Sequence, residues 1–394
     1  MKLKQVHLRD QSQPTTVRPR NTADSHAAAT TLVSRPSGDS EHRSFLRTPC
    51  QPDGSEAVID MASTASNPSC GMGTMVGARE SDATTHGYSL FQQPWWLDAV
   101  APGAWDEVRV ERGGKTLARL PFMVKRKFGL TALTQPPLTF FLGPWLSPSD
   151  DTKYSTQVTQ QKGLMEQLIA LLPPHDICRV QFTPEVTNWL PFYWAGFAAT
   201  PYCTYRIWNL ADEEALWAEI HKTTRTKIRK ASESVVVRTD LAIDAMLELQ
   251  ERTCARHGWV VPDRDLIYRI HDACTARRCC QLFVAEDAKG RRHSCSYVVW
   301  DSRCAYAIGG GMNHDLARSG APMLVRWEAL KYARRVTTSF DFVGSMFEPA
   351  ERVFRKLGAR QVTYLSVSRL SRRMRVLSAA RELAAAVAGR PWHP

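Results

Sequence analysis

The chain has 394 residues, 43% hydrophobic and 23% charged, the proportions of a soluble globular protein with room for two domains or one large one. No apolar run approaches the ~20 residues that span a bilayer, and the start MKLKQVHLRD lacks the apolar core of a secretory signal. The ten cysteines form no CxxC pair, so neither a disulfide framework nor a zinc site is suggested and reduced thiols in a cytosolic protein are expected.

The net charge of +12 is unevenly placed. Residues 1–85 carry nine Lys/Arg and nine Asp/Glu, so the excess, 42 basic against 30 acidic residues, lies in 86–394. A basic folded part suits an anionic partner: a nucleotide cofactor, a tRNA, a lipid phosphate or a membrane surface. Residues 1–85 hold one aromatic, Phe45, among Ser, Thr, Ala, Pro and Arg. Too little apolar surface is available there to offset ordering entropy, so this extension is expected to be disordered and dispensable. It is either a tail or an over-extended start, with Met61, Met72 and Met75 as later initiators.

Composition changes at Tyr88. From there to Trp208 the chain carries seven tryptophans, Trp95, Trp96, Trp105, Trp145, Trp189, Trp194 and Trp208. Val108–Val110 and Ala118–Val124 read as strands around the turn Arg112-Gly113-Gly114. Gly163–Leu172 reads as an amphipathic helix stopped by Pro173-Pro174. Val180–Phe182 and Tyr205–Leu210 complete a mixed α/β first lobe over 86–210.

A second lobe spans 211–368. Its clearest helix is Glu213–Glu233, with Leu216, Trp217, Ile220, Thr224, Ile228 and Ala231 on one face. Lys222, Arg225 and Arg229 gather on the other, either as a solvated basic face or as bidentate phosphate contacts. Helices Ile243–His257 and Pro262–Arg278 come next, then strands Leu282–Glu286, His293–Trp300 and Cys304–Gly309. Helix Pro322–Arg335, strand Phe340–Val343, a short helix carrying Phe354 and Leu357, and strand Gln361–Ser368 close the lobe. Residues 369–394 form a basic amphipathic helix, with Arg372, Arg373 and Arg375 in its first turns; it either docks on the protein or lies on an anionic membrane.

The chain contains no GxxxxGK, GxSxG or HExxH motif, so phosphate-loop, serine-nucleophile and metal-helix chemistry are unsupported. Direct group transfer needs only a donor cleft, groups that hold an amine, and donors for the developing oxyanion. Gly309 to Ala321 reads as a glycine-rich loop opening onto a helix start, with Gly310, Gly311, Arg318, Ser319 and Gly320 as candidates for donor binding. Asp341 lies between apolar residues in a core strand, where an unpaired carboxylate is costly; it is expected to hold or deprotonate an amine. Beyond it stand Glu348, Glu351, Arg352 and Arg355. Glu351 and Arg352 read as a cap and salt bridge. His257, His271 and His314 lack partners at metal spacing, so no metal site is expected.

Three segments resemble the Fem-like peptidoglycan aminoacyltransferases and the GNAT-domain acyltransferases associated with bacterial surface polysaccharides. Lys222 to Ala231 resembles a K-x-R-x-x-I-x-K-A helix. Arg318 to Leu330, with Leu324, Trp327 and Glu328, resembles a leucine-x-tryptophan-glutamate-alanine helix. Asp341-Phe-Val-Gly344, together with Phe354-Arg355-Lys356-Leu-Gly358, resembles a D-F-x-G … F-K-x-x-F-G ending.

The likeness runs over about 86–368 and implies two tandem GNAT-like lobes, mixed sheets flanked by helices, with the acceptor in the groove between them. It implies transfer of an acyl group from acyl-CoA, with acetyl-CoA the expected donor, onto an amine of a small-molecule or lipid-linked surface-glycan or cell-wall precursor. Asp341 and Glu348 would hold the amino sugar, and Arg355 or Lys356 would meet the oxyanion. Lys222, Arg225, Arg229, Tyr306 and Trp327 would contact substrate. The usual acyl-CoA loop, Arg/Gln-x-x-Gly-x-Gly/Ala, is reduced here to Arg318-Ser319-Gly320-Ala321, with Ala317 at its first position. The helical arm of tRNA-using relatives is missing, which favours a thioester donor over aminoacyl-tRNA. Fem-type aminoacyl transfer from tRNA to a lipid-linked peptide is the second reading, and a non-catalytic glycan-binding protein the third. A cytoplasmic bacterial enzyme, in peripheral contact with the inner membrane and without a DNA partner, is expected.

Overall fold

The computed structural model describes residues 87–387; the expectation for residues 1–85 lies outside them. Side-chain period and turn chemistry set the elements in order. After a 3-10 turn at Leu90–Gln92 come α1 (Pro94–Val100), β1 (Trp105–Arg112), β2 (Lys115–Lys127), β3 (Leu130–Thr134) and β4 (Trp145–Leu146). Next are α2 (Tyr154–Leu171), β5 (Ile177–Gln181), α3 (Leu190–Trp194) and β6 (Ala198–Ile207). Then come α4 (Glu213–Glu219), α5 (Lys222–Ser232), β7 (Val235–Arg238), α6 (Asp244–His257) and α7 (Arg264–Ala276). The chain continues with β8 (Cys280–Asp287), β9 (Arg292–Trp300), β10 (Cys304–Met312), α8 (Ala321–Ala333), β11 (Ser339–Asp341), α9 (Glu348–Lys356), β12 (Arg360–Leu370) and α10 (Arg372–Val387).

The strands form one mixed sheet in the order β1-β2-β3-β5-β12-β6-β11-β10-β9-β8-β7, with β4 on β2. One pattern occurs twice. The meander β1-β2-β3 leads through α2 to β5, which runs parallel to β3. The meander β8-β9-β10 leads through α8 to β11, parallel to β10. Each half then adds a helix, α3 or α9, and a last strand that crosses to the other half. Thus β6 pairs with β11, β12 pairs with β5, and the two crossing strands pair with each other. The fold is therefore the expected mixed α/β arrangement of two tandem lobes, stitched together by exchanged strands.

In each half the parallel pairing is brief, and the sheet opens where it stops. Strands β3 and β5 are in register only at Ala132↔Ile177 and Leu133↔Cys178. Strand β10 keeps register with β11 from Cys304↔Ser339 to Tyr306↔Asp341, then runs on to Met312 paired with β9 only.

Two expectations change. The helix read over Glu213–Glu233 is two helices, broken where Ile220 and His221 adopt extended backbone; the His221 side chain accepts the Thr223 N–H and caps α5 anew. Gly309 to Gly311 are strand rather than loop, because α6 packs on them: a Cβ on Gly311 would lie 2.5 Å from the Leu249 carbonyl. Only Gly permits that approach.

Candidate active site

The opening beyond β3 and β5 is a cavity of about 930 Å3. Its walls come from α2 (Tyr154, Gln157, Gln161), the segment Thr183–Leu190 after β5, the end of β6 (Arg206, Trp208) and the starts of β10 and β11 (Cys304, Tyr306, Ser339). The amide nitrogen of Asn188 and the hydroxyl of Ser89, both in the wall, are buried without a protein partner.

A chain of charges runs from the sheet into this cavity. Asp341 has no exposed surface. Its carboxylate accepts hydrogen bonds from Arg206 Nε at 2.9 Å, from the Val343 amide at 2.9 Å and from the Thr204 hydroxyl. Val343 needs that anchor, since a β-branched residue at φ 39° sits in the left-handed region. Arg206 reaches on to Glu185, Nη1 to Oε1 at 2.5 Å, and its guanidinium lies 4.8 Å from the ring centre of Trp208.

Burial pushes the Asp341 carboxyl above the ordinary Asp range, against the pull of Arg206 and its hydrogen bonds. For Glu185 burial also pushes upward, but the charge and hydrogen bond of Arg206 outweigh it and hold the carboxyl below the usual range. Glu185 is the one carboxylate among the described residues that line the cavity, and its side chain is 58% exposed.

Tyr306 also belongs here. It is buried against Phe91, ring centres 4.7 Å apart, and burial holds its phenol well above the ordinary tyrosine range.

The other residues named from sequence sit elsewhere. In β6, Thr204 and Arg206 face Asp341, while Tyr205 points to the opposite face. There the Tyr205 hydroxyl donates to Glu351 at 2.7 Å, and Arg355 donates to the same carboxylate at 2.9 Å. Burial and that bond push the Tyr205 phenol up to about 12. Glu348 is exposed and paired with Arg352. Glu348 and Arg355 are thus not brought together with Asp341.

Arg225 donates to the Trp217 and Ala218 carbonyls at the end of α4, 3.3 Å each, and Arg229 lies 5.4 Å from the Trp217 ring centre. Trp327 is buried against the same ring, centres 4.9 Å apart. Lys222 is exposed at the start of α5.

The expected phosphate loop at the start of α8 has its polar groups in use. The Ser319 hydroxyl accepts the Ala321 amide, Pro322 has no N–H, and the Met323 and Leu324 amides return to the Gly320 carbonyl. Gly320 is at φ 77°, and a Cβ there would lie 2.7 Å from the Lys227 carbonyl, so α5 covers it. Arg318 is exposed. Beside this helix start lies a second, smaller cavity of about 130 Å3 between α5, α8 and α9, where Lys227, Arg352 and Lys356 converge with Thr223 and Thr224. A pyrophosphate would fit this chain through those side-chain cations rather than through loop amides. Among the described residues no group of three or more His, Cys, Asp or Glu could hold a metal.

Sequence reading missed Glu185, Asn188 and Arg206. One signal was available for Arg206: a charged residue inside the apolar run Tyr205–Leu210 has to be paired, by the reasoning that singled out Asp341.

Residues 218–356 match the family model described as an acetyltransferase (GNAT) domain. Among solved structures the chain is similar to FemX, 13% identical with a TM-score of 0.55 over 74% of this chain and 96% of that one. It is also similar to the C-terminal domain of a putative lysylphosphatidylglycerol synthetase from Agrobacterium fabrum, 14% identical with a TM-score of 0.44 over 72% and 89%. A tandem GNAT protein from the clavulanic acid biosynthesis pathway is 12% identical with a TM-score of 0.41 over 68% and 83%. Comparison with curated proteins found no match. The fold is that of FemX, and residues 218–356 carry the likeness to a GNAT acetyltransferase domain.

Proposed function

We propose that the protein transfers an acyl group from an acyl thioester, acetyl-CoA being the simplest, to an amine on a surface-glycan or cell-wall precursor. The observation that carries this reading is the chain Asp341–Arg206–Glu185. It begins where β11 parts from β10 and ends on the one carboxylate that the described residues place in the wall of the large cavity.

An acceptor ammonium entering the cavity would pair with Glu185, while Asn188 and Ser89 offer hydrogen bonds to its hydroxyls. Arg206 keeps that carboxylate charged and fixed, and Asp341 keeps Arg206 fixed. The donor's phosphates would meet Lys227, Arg352 and Lys356. In the reaction the ammonium gives one proton to solvent, the amine nitrogen bonds to the thioester carbonyl carbon, the carbon–sulfur bond breaks, and the second proton lost from nitrogen passes to the departing thiolate. Positioning and charge supply the rate, with no covalent enzyme intermediate.

Aminoacyl-tRNA is the second donor to consider, because the excess positive charge of residues 86–394 suits a polyanion. Incubating the full chain and an amino-sugar acceptor with acetyl-CoA, and separately with charged tRNA, and weighing the acceptor by mass spectrometry tests both. A mass gain of one acetyl group in the first arm is the expected result. A gain only in the second arm overturns the thioester donor, and no gain in either favours a binding protein.

A further inference from the structure

Among the described residues, four of the five large exposed aromatic side chains belong to one region, Phe128 of the β2–β3 turn being the exception. Helix α3, with the sequence LPFYW, buries Pro191 and Phe192 and leaves Leu190, Tyr193 and Trp194 exposed. Tyr154, at the start of α2, is 80% exposed, and Trp208, just past β6, is 53% exposed. Tyr154, Leu190 and Trp208 all line the large cavity, and Tyr193 packs edge-on against a fourth wall residue, Trp189, ring centres 5.5 Å apart. Lys162 of α2 extends over Trp194, with its ammonium 4.5 Å from the ring centre. Large apolar side chains left in water forfeit burial free energy, and a contiguous group of them marks a contact surface.

We propose that this rim docks on the surface of a lipid bilayer, with the rings at headgroup level and the cavity opening toward the membrane. The chemistry of the rim favours a bilayer over a protein. Tyr and Trp join an apolar body to a polar tip, the combination that settles at a membrane–water boundary. Lys162, with its ammonium over the Trp194 ring, would place a positive charge at the level of the lipid phosphates. The net charge of +12 in residues 86–394 draws the folded part toward an anionic leaflet. Asp150 and Asp151 are exposed near Tyr154 and oppose that attraction locally, so ring insertion rather than charge fixes the orientation. No helix among the described residues is long and apolar enough to cross a membrane, so this is surface contact.

Docked this way, the cavity would receive the headgroup of a lipid-linked amine without the lipid leaving the bilayer. The docking itself does not depend on acyl transfer.

The test is co-sedimentation of the full chain with vesicles of phosphatidylcholine and phosphatidylglycerol, read together with tryptophan fluorescence. The wild type should sediment with the vesicles and its emission should shift to the blue. The Tyr193→Ser/Trp194→Ser variant, altered only at exposed positions, should keep its melting temperature and bind about tenfold or more weakly. Lys162→Glu should weaken binding to these vesicles and spare binding to phosphatidylcholine alone. Absence of wild-type binding overturns the proposal. So does a double variant that binds as tightly as wild type, or a wild-type dimer in solution that the double variant abolishes. Vesicle binding without acyl transfer would count against the proposed function alone.

Discussion

The two halves repeat the same elements and leave different spaces beside them. Beyond β3 and β5 the gap is a cavity of about 930 Å3 with aromatic, amide and charged walls; the space between α5, α8 and α9 is about 130 Å3 and basic. The cause is local. Helix α5 lies across the start of α8 and covers Gly320, whereas α2 stands back from the segment Thr183–Leu190. The half that matches the acetyltransferase family model therefore carries the narrow cleft, and the roomy one is formed largely by the half outside that match.

The sharpest way to break that comparison is at the strand joining the two openings. Replacing Asp341 by Ala strands Arg206 without its buried partner, which typically costs about 3–5 kcal/mol. Denaturant unfolding should therefore show a large fall in midpoint. Arg355→Ala removes a pair on the exposed face of α9, with its side chain 61% exposed, and should leave the midpoint nearly unchanged. Equal losses for the two variants would mean that Asp341 does not anchor the junction.

The next effect is on rate. Glu185→Gln keeps the side-chain shape in the cavity but removes the carboxylate from its wall, so transfer to an amine should fall on the order of 100-fold with little change in melting temperature. An unchanged rate would move the acceptor out of the large cavity. The narrow cleft is probed by Lys227→Ala with Lys356→Ala. Removing two cations from around a phosphate, at about 1 kcal/mol each, should raise the donor KM by roughly tenfold or more and leave acceptor KM alone.

The fold was legible because its signals are periodic. The short apolar runs of β8 to β10 and the order of strand and helix around α8 and β11 need only side-chain patterning, and the Arg112-Gly113-Gly114 turn joins β1 to β2 as expected. The clefts were far less legible. Glycine punctuates loops and also lets helices press on strands, so Gly309 to Gly311 carried the same letters for either outcome. Ile220-His221 breaks a helix without Pro or Gly, because His221 supplies its own cap. Glu185, Asn188 and Arg206 share no motif; they meet only because β6 crosses from one half to the other.

The smallest expected effect concerns pH, and it isolates the Arg206–Glu185 pair. Arg206 holds the folded-state pKa of Glu185 below its unfolded value, so the folded protein keeps this carboxylate charged where the unfolded chain has begun to bind a proton. The stabilisation is fully present above the unfolded value, about 4.3 for Glu, and is lost as pH falls through the lower folded value. Asp341 has the opposite sign, since burial raises its folded pKa and its contribution fades as pH rises through that value. Both groups titrate in the wild type, whereas Glu185→Gln removes only the first. The melting curves of the two proteins should therefore differ near neutral pH by the contribution of a pair whose carboxylate is largely exposed, at most about 1 kcal/mol or a few degrees. They should converge in acid, below the Glu185 pKa. A gap that stays constant from neutral pH into acid would mean that Glu185 contributes through shape rather than charge, and the ionic link from the sheet to the acceptor cavity would lose its outer member.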